Sequence, residues 1–331
     1  MKKLGLFIVL GCVSVSLMFA ALPSGVSAKE ITLNWASFLP KSHPGTVSLQ
    51  KVLFDKINER AKGQLVIRYR GGPETFSSRD LGDAVQKGIV DMASALISFY
   101  QSIVPGAGSF KLSPFTPEEE RQNGVYDYMA ARHEKYGLKY VGRPNPGKSN
   151  YFHLYLNKKV ENREDFKSVR IGAAGAGRPS AMAWGSSVVT LKLSEYYTAM
   201  ERHLVDGINC VPLDAWVAWG CQEVTKYVPD HSYFQGTGMI IANLKSWNKL
   251  PKNLQKLIMD TMIEYELGQI DFEVKKMARA KQKMKDAGVE FYKFSPDVEK
   301  WFLETAYSST WAYEEKRAGK VVTDFKKLVT Q

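Results

Sequence analysis

Apolar residues recur along this chain in two alternating periods. Ile31–Phe38 is an apolar-rich run closed by Pro40 and Pro44, which predicts a buried strand. Leu49, Val52, Leu53, Ile57 and Ala61 then return at helical spacing, and Gly63 supplies a C-terminal cap. Leu65–Tyr69 predicts the next strand, Asp80–Lys87 a short helix stopped by Gly88, and Ile89–Leu96 a further strand. Later, Pro251 opens a helical run to Ala287 whose apolar face is Leu254, Leu257, Ile258, Met262 and Tyr265. Gly268 is placed to kink that run and Gly288 to end it. A last helix is expected from about Asp297 past Trp311, with Trp301, Phe302, Thr305 and Tyr307 as packing residues. Strands alternating with helices predict an α/β fold with crossover connections.

The opening pattern is different. Lys2 and Lys3 precede an uncharged stretch from Leu4 to Ala28, broken by Pro23, Ser24 and Gly25 and ending in the small residues Val26-Ser27-Ala28. These are the parts of a secretory signal peptide, with cleavage expected after Ala28. The unbroken apolar run falls short of the ~20 residues that a membrane span requires. Leu10-Gly11-Cys12 leaves a lipid-attachment box as the minor alternative. The expected product is exported and soluble, with Cys210 and Cys221 as its only cysteines; their spacing does not establish a disulfide.

Composition narrows the chemistry. The 331 residues carry a formal charge of +11. The cations nonetheless alternate with carboxylates, as in Glu273–Lys281, which reads as a solvated helix surface rather than a nucleic-acid groove. The five histidines are too far apart in sequence to show metal-ligand spacing, and no Gly-x-Ser-x-Gly elbow occurs. Nothing points to a metal, a cofactor or an enzyme. A weak repeat relates Ala84-Val-Gln-Lys-Gly-Ile-Val-Asp91 to Ala199-Met-Glu-Arg-His-Leu-Val-Asp206, which suggests two similarly built domains. Gly142–Gly147 is the natural crossing between them, with a second near Phe234–Ile241.

Two stretches look like ligand contacts. Val169–Ile171 is a strand leading into Gly172-Ala-Ala-Gly-Ala-Gly-Arg178, where backbone N–H groups and Arg178 are positioned to cradle an anion. The competing reading is a tight turn that needs small residues. Asp206–Tyr227 gathers Asn209, Cys210, Asp214, Trp216, Trp219 and Gln222; Trp216 is read as a pocket residue and Trp219 as core.

The order of these pieces resembles the solute-binding subunits of tripartite ATP-independent periplasmic (TRAP) transporters, the family of the dicarboxylate-binding protein. The matching pieces are Val85–Met92, Phe152–Asn157, Asp165–Ile171, Ser194–Met200, Val205–Gly207, Glu223–Tyr227 and Asn243–Pro251. The resemblance implies two α/β domains around a ligand cleft with a long bracing helix. They would be 29–148 with about 238–268, and 149–237 with about 269–331. It implies a monomer that closes on a small organic solute, expected to be an anion, and delivers it to the small and large membrane subunits of a permease. In relatives an arginine just after the strand clamps the ligand carboxylate. Here that position is Gly172, which leaves Arg170 or Arg178 as replacements. By the same carry-over Phe38, Phe99, His153, Asn209 and Cys210 join them as expected solute contacts. A binding protein that feeds a sensor, or a secreted enzyme using the Gly172–Arg178 loop as an anion cradle, are the alternatives.

Overall fold

A computed structural model describes residues 29–144, 151–173, 175–236 and 238–330. The expected signal segment 1–28 and residues 145–147 of the first crossing lie outside them. Two sheets organise the chain. The first has the order β2-β1-β3-β11-β4, built from β1 (Ile31–Ser37), β2 (Leu65–Gly71), β3 (Met92–Leu96), β4 (Leu138–Gly142) and β11 (Gly238–Asn243). β1 runs parallel to β2 and β3, and β11 runs antiparallel between β3 and β4. The second has the order β12-β9-β5-β8-β6-β7, with β10 paired to β5. Its strands are β5 (Tyr151–Leu156), β6 (Arg170–Ala173), β7 (Ser187–Thr190), β8 (Gly207–Pro212), β9 (Tyr227–Pro229), β10 (Tyr233–Gln235) and β12 (Glu290–Tyr292). The result is a two-lobed α/β fold.

The central strands are apolar on both faces because helices cover both. Ile240 and Ala242 of β11 pack with Trp35, Ile57, Ile258 and Met262, while Met239 and Ile241 pack on the opposite side with Ala93 and Tyr140. The second sheet buries Leu154 and Ile171 against Phe166, Trp184 and Phe302, and Tyr155 and Ile208 against Met200, Trp216 and Met284.

The eight-residue repeat is a repeated corner. Ile89 and Val90 both donate to the Ala84 carbonyl, as Leu204 and Val205 do to Ala199. Asp91 Oδ2 accepts the Asn34 N–H of β1 at 2.8 Å, and Asp206 Oδ2 accepts the Arg170 N–H of β6 at 2.8 Å. Gly88 and its counterpart His203 both adopt positive φ, +74° and +53°. This corner corrects one boundary: β3 begins at Met92 rather than Ile89, because the N–H groups of Ile89 and Val90 close the turn, and Ile89 is exposed.

The long run after Pro251 forms two helices, Lys252–Gly268 and Ile270–Asp286, meeting at Gln269. The first lies on the first lobe, the second on the helix Leu213–Ala218 of the other lobe. The Pro296–Ala318 helix packs on both lobes. The final helix, Lys320–Thr330, packs its Phe325 on Phe110 and Tyr128, so it lies on the first lobe, whereas the resemblance implies the second lobe for about 269–331.

Where the chain passes between lobes, Arg143 is buried. Its Nε meets Glu120 Oε2 at 3.0 Å, Nη2 donates to the Phe115 carbonyl at 2.8 Å, and Nη1 donates to Gln235 on the return crossing. Its backbone N–H donates to Glu266 of the Lys252–Gly268 helix at 3.0 Å. Burial raises the Glu120 carboxyl to about 7 against the pull of Arg143. Removing one member of a buried pair strands the other, so Arg143→Met is expected to cost about 3–5 kcal/mol in urea unfolding. Adding Glu120→Leu should restore most of it; a double variant as unstable as the single one would place the cost elsewhere.

Candidate functional site

A cleft gathers the carboxyl ends of β1, β3 and β8, the place where open α/β sheets bind ligands. It encloses a cavity of about 130 Å³. The first lobe contributes Ser37, Phe38, Ser94, Ser98 and Phe99, with His43 and Thr46 from the start of the Pro44–Ser48 helix. The second contributes Phe152, Tyr196, Cys210, Asp214 and Trp219. Pro144, Gly236 and Gly238 come from the crossings, and Tyr265, Phe272, Glu273 and Lys276 from the two spanning helices.

Local sequence explains these placements. His43 caps its helix, accepting the Gly45 N–H on Nδ1 at 3.1 Å, with Pro44 in the first turn. Thr46 turns inward to bond Ser37 Oγ at 3.0 Å. On the far wall Lys276 Nζ bridges Asp214 at 2.9 Å and Glu273 at 2.6 Å. Lys276 is raised above its ordinary pKa: burial pulls it down, but the two carboxylates outweigh that, so it is charged.

Of the eight residues expected from sequence, the structure brings Phe38, Phe99 and Cys210 to the cavity. Five stand off its wall. Trp216 is fully buried, stacked on Tyr155 at 4.1 Å and donating to Thr225 Oγ1 at 2.8 Å, while Trp219 lines the cleft; the two tryptophans exchange the roles read from sequence. Asn209 is a buried brace whose Nδ2 donates to the Gly177 carbonyl at 2.9 Å. Gly177 allows that approach, since a Cβ there would lie 2.1 Å from Asn209 Oδ1. Arg178 is exposed and donates to Thr190 Oγ1 at 3.3 Å. Arg170 sits at the outer end of β6, donating to the His203 carbonyl at 2.7 Å beside Asp206. His153 is buried, with Nδ1 against the Tyr151 carbonyl at 3.2 Å.

Gly172 is enclosed as well. A Cβ there would lie 2.4 Å from Ile208 Cδ1 and 2.7 Å from Leu191 Cδ1, so the volume an arginine would need is filled by aliphatic side chains.

Sequence reasoning passed over His43, Glu273 and Lys276. Glu273–Lys281 was read as a solvated surface, yet Glu273 is 4% exposed and Lys276 is bridged in the cleft. Nothing local reveals this, because the Leu213–Ala218 helix of the other lobe covers that face. Cys210 and Cys221 are free, and burial pushes both thiols up to about 12. Among the described residues no cluster is placed to hold a metal, and no helix is long and apolar enough to cross a membrane.

Two α/β lobes with crossing strands and one cleft between them define a periplasmic-type solute-binding fold. The chain belongs to the bacterial extracellular solute-binding protein family 7, whose profile matches residues 35–316. An uncharacterized Haemophilus influenzae protein is 24% identical over 220 residues, 64% of this chain and 66% of that protein. A TRAP periplasmic solute-binding protein from Desulfovibrio salexigens, solved with orotic acid, superposes with a TM-score of 0.81 at 22% identity, covering 91% of this chain and 97% of that one. Another from Haemophilus influenzae, solved with L-gulonate, gives a TM-score of 0.76 at 20% identity, covering 90% and 100%.

Two predictions arise from these buried groups. Gly172→Arg should lose about 1–3 kcal/mol in urea unfolding through overpacking. A variant as stable as the parent would show that Leu191 and Ile208 yield. Burial holds His153 down at about 4, outweighing Asp230, and holds His133 at a similar value. The folded form therefore binds fewer protons than the unfolded one below pH 6.5, and stability falls as pH drops from there to 4. Each histidine accounts for a loss on the order of 3 kcal/mol by pH 4. His153→Leu should reduce the measured fall by that amount; an unchanged fall would mean that His153 is protonated in the fold.

Proposed function

We propose that the chain is the extracytoplasmic solute-binding subunit of a TRAP-type transporter. It is exported by residues 1–28, cleaved after about Ala28, and hands one small organic acid to the small and large membrane subunits of a permease. The observation that carries this reading is the cleft itself, walled from both lobes in a chain of family 7. Closing the lobes about their crossings would enclose a solute of roughly the size that the cavity admits. Phe38, Phe99, Phe152 and Trp219 offer apolar walls, and His43, Asp214 and Lys276 offer polar groups to fix a solute's orientation. The orotic acid and L-gulonate held by similar structures support an acid as the ligand.

Binding without turnover is the reading the site favours. Cys210, the thiol at the cavity, is held protonated and is no nucleophile at neutral pH. The Gly172–Arg178 loop reaches the cleft at Ala176, but Asn209 braces its Gly177 carbonyl and its arginine is turned to Thr190, which counts against Arg178 as an anion clamp.

Native mass spectrometry of the mature protein, before and after denaturation, tests the proposal. One small acid per chain, released unchanged, is the expected outcome. Release of a converted solute would overturn it. So would an empty protein that no member of a panel of organic acids protects against thermal unfolding.

A further inference from the structure

Among the described residues, two polar atoms, one from each lobe, are buried at the cleft without a hydrogen-bond partner. The first is His43 Nε2. Because Nδ1 accepts the Gly45 N–H at 3.1 Å, the neutral ring carries its proton on Nε2 and presents a donor. Burial lowers the imidazole pKa, Asp214 opposes that and Lys276 adds to it, so the ring is neutral at pH 7 and lies within electrostatic reach of both. The second atom is Asp214 Oδ1. Its sister Oδ2 is held at 2.9 Å by Lys276, whose other carboxylate partner is Glu273 at 2.6 Å.

The chemistry of this corner is specific. One ammonium stands between two carboxylates, leaving an excess of negative charge, so a ligand group facing Asp214 must donate rather than accept. The donor on His43 calls for an acceptor beside it. Buried atoms of this kind are costly to leave unpaired, and a solute that satisfies both is selected over one that satisfies neither. Meanwhile the position that the family resemblance gives to an arginine is Gly172, sealed by Ile208 and Leu191.

We propose that the cleft takes a small acid bearing a hydroxyl or ammonium group on the carbon next to its carboxylate. The carboxylate accepts from His43 Nε2, the neighbouring donor bonds Asp214 Oδ1, and the apolar remainder lies along Phe38, Phe99 and Trp219. Recognition has moved from β6 to the His43 cap and the Asp214–Lys276 bridge. Simple dicarboxylates are rejected, because a second carboxylate would meet Asp214 and Glu273. This inference rests on the solute-binding reading above.

Titration calorimetry on the mature chain with three matched probes tests it: 2-hydroxy-4-methylpentanoate, leucine, and 4-methylpentanoate, which lacks the donor. The hydroxy or the amino acid should bind at least ten-fold more tightly than the unsubstituted acid. Asp214→Ala should abolish that ratio. Asp214→Asn should spare a hydroxyl ligand and weaken an ammonium ligand ten-fold or more, which separates the two. His43→Phe, which leaves the Lys276 bridge intact, should weaken all three probes alike. Equal affinity for all three probes would overturn the inference, as would a ratio unchanged in a folded Asp214→Ala protein or the failure of all three to bind. Release of a native solute without a hydroxyl or amine would overturn it too, yet leave the transport reading standing. A protein that binds no solute of any kind would remove both.

Discussion

Everything in this molecule that concerns ligand capture depends on how two lobes are held at their crossings, and Arg143 sits there. Its side chain joins Glu120 on one lobe, the Phe115 carbonyl, and Gln235 on the returning strand, while its amide is fixed by Glu266 of the spanning helix. A second cation, Arg121, meets the same Glu266 at 2.8 Å. A guanidinium suits this place because its donors fork in fixed directions and reach several acceptors at once. The burial of two carboxylates beside two arginines is expensive in solvation, and that expense makes sense only where geometry must be specified. The two lobes thus meet at a joint whose parts are defined by hydrogen bonds rather than by loose apolar contact.

Much of the architecture was legible in the chain. The apolar runs marked β1 and β2 to within a residue or two, and the spacing after Pro251 located the spanning helices and their break near Gly268. The similarity of Ala84–Asp91 to Ala199–Asp206 is slight as sequence, yet each copy makes the same corner, with an aspartate bonding the amide of the neighbouring strand. The same residues misled at β3, where Ile89 and Val90 have strand character but spend their amides on the turn.

The site was less legible, for a physical reason. Its polar members come from three distant segments: His43 from a helix cap, Asp214 from a short helix after β8, and Lys276 from the middle of a charged helix. Asp214 lies in a stretch that the sequence marks as a ligand contact, but His43 and Lys276 have unremarkable neighbourhoods, and only the packing of one helix on another turns Glu273 and Lys276 away from solvent. Phe38 and Phe99 came from the family resemblance, which places them just beyond the ends of β1 and β3. Trp216 and Trp219 could not be told apart, since three residues along a helix separate a core position from a wall.

The position of β11 has a consequence for how the protein comes to be folded. It lies between β3 and β4 in the first sheet, pairing Gly238 with Leu96 and Asn243 with Leu138. The centre of that sheet therefore stays incomplete until the chain has emerged past Asn243. Strands β5, β6, β7, β8 and β9 of the second sheet fall within Tyr151–Pro229 and pair over shorter separations. Contacts close in sequence form first because they cost less loop-closure entropy. The strands of the second sheet are thus placed to pair before the first sheet is complete, although their faces wait for Met284 and Phe302, and the first lobe closes around a strand delivered from the far side of its partner.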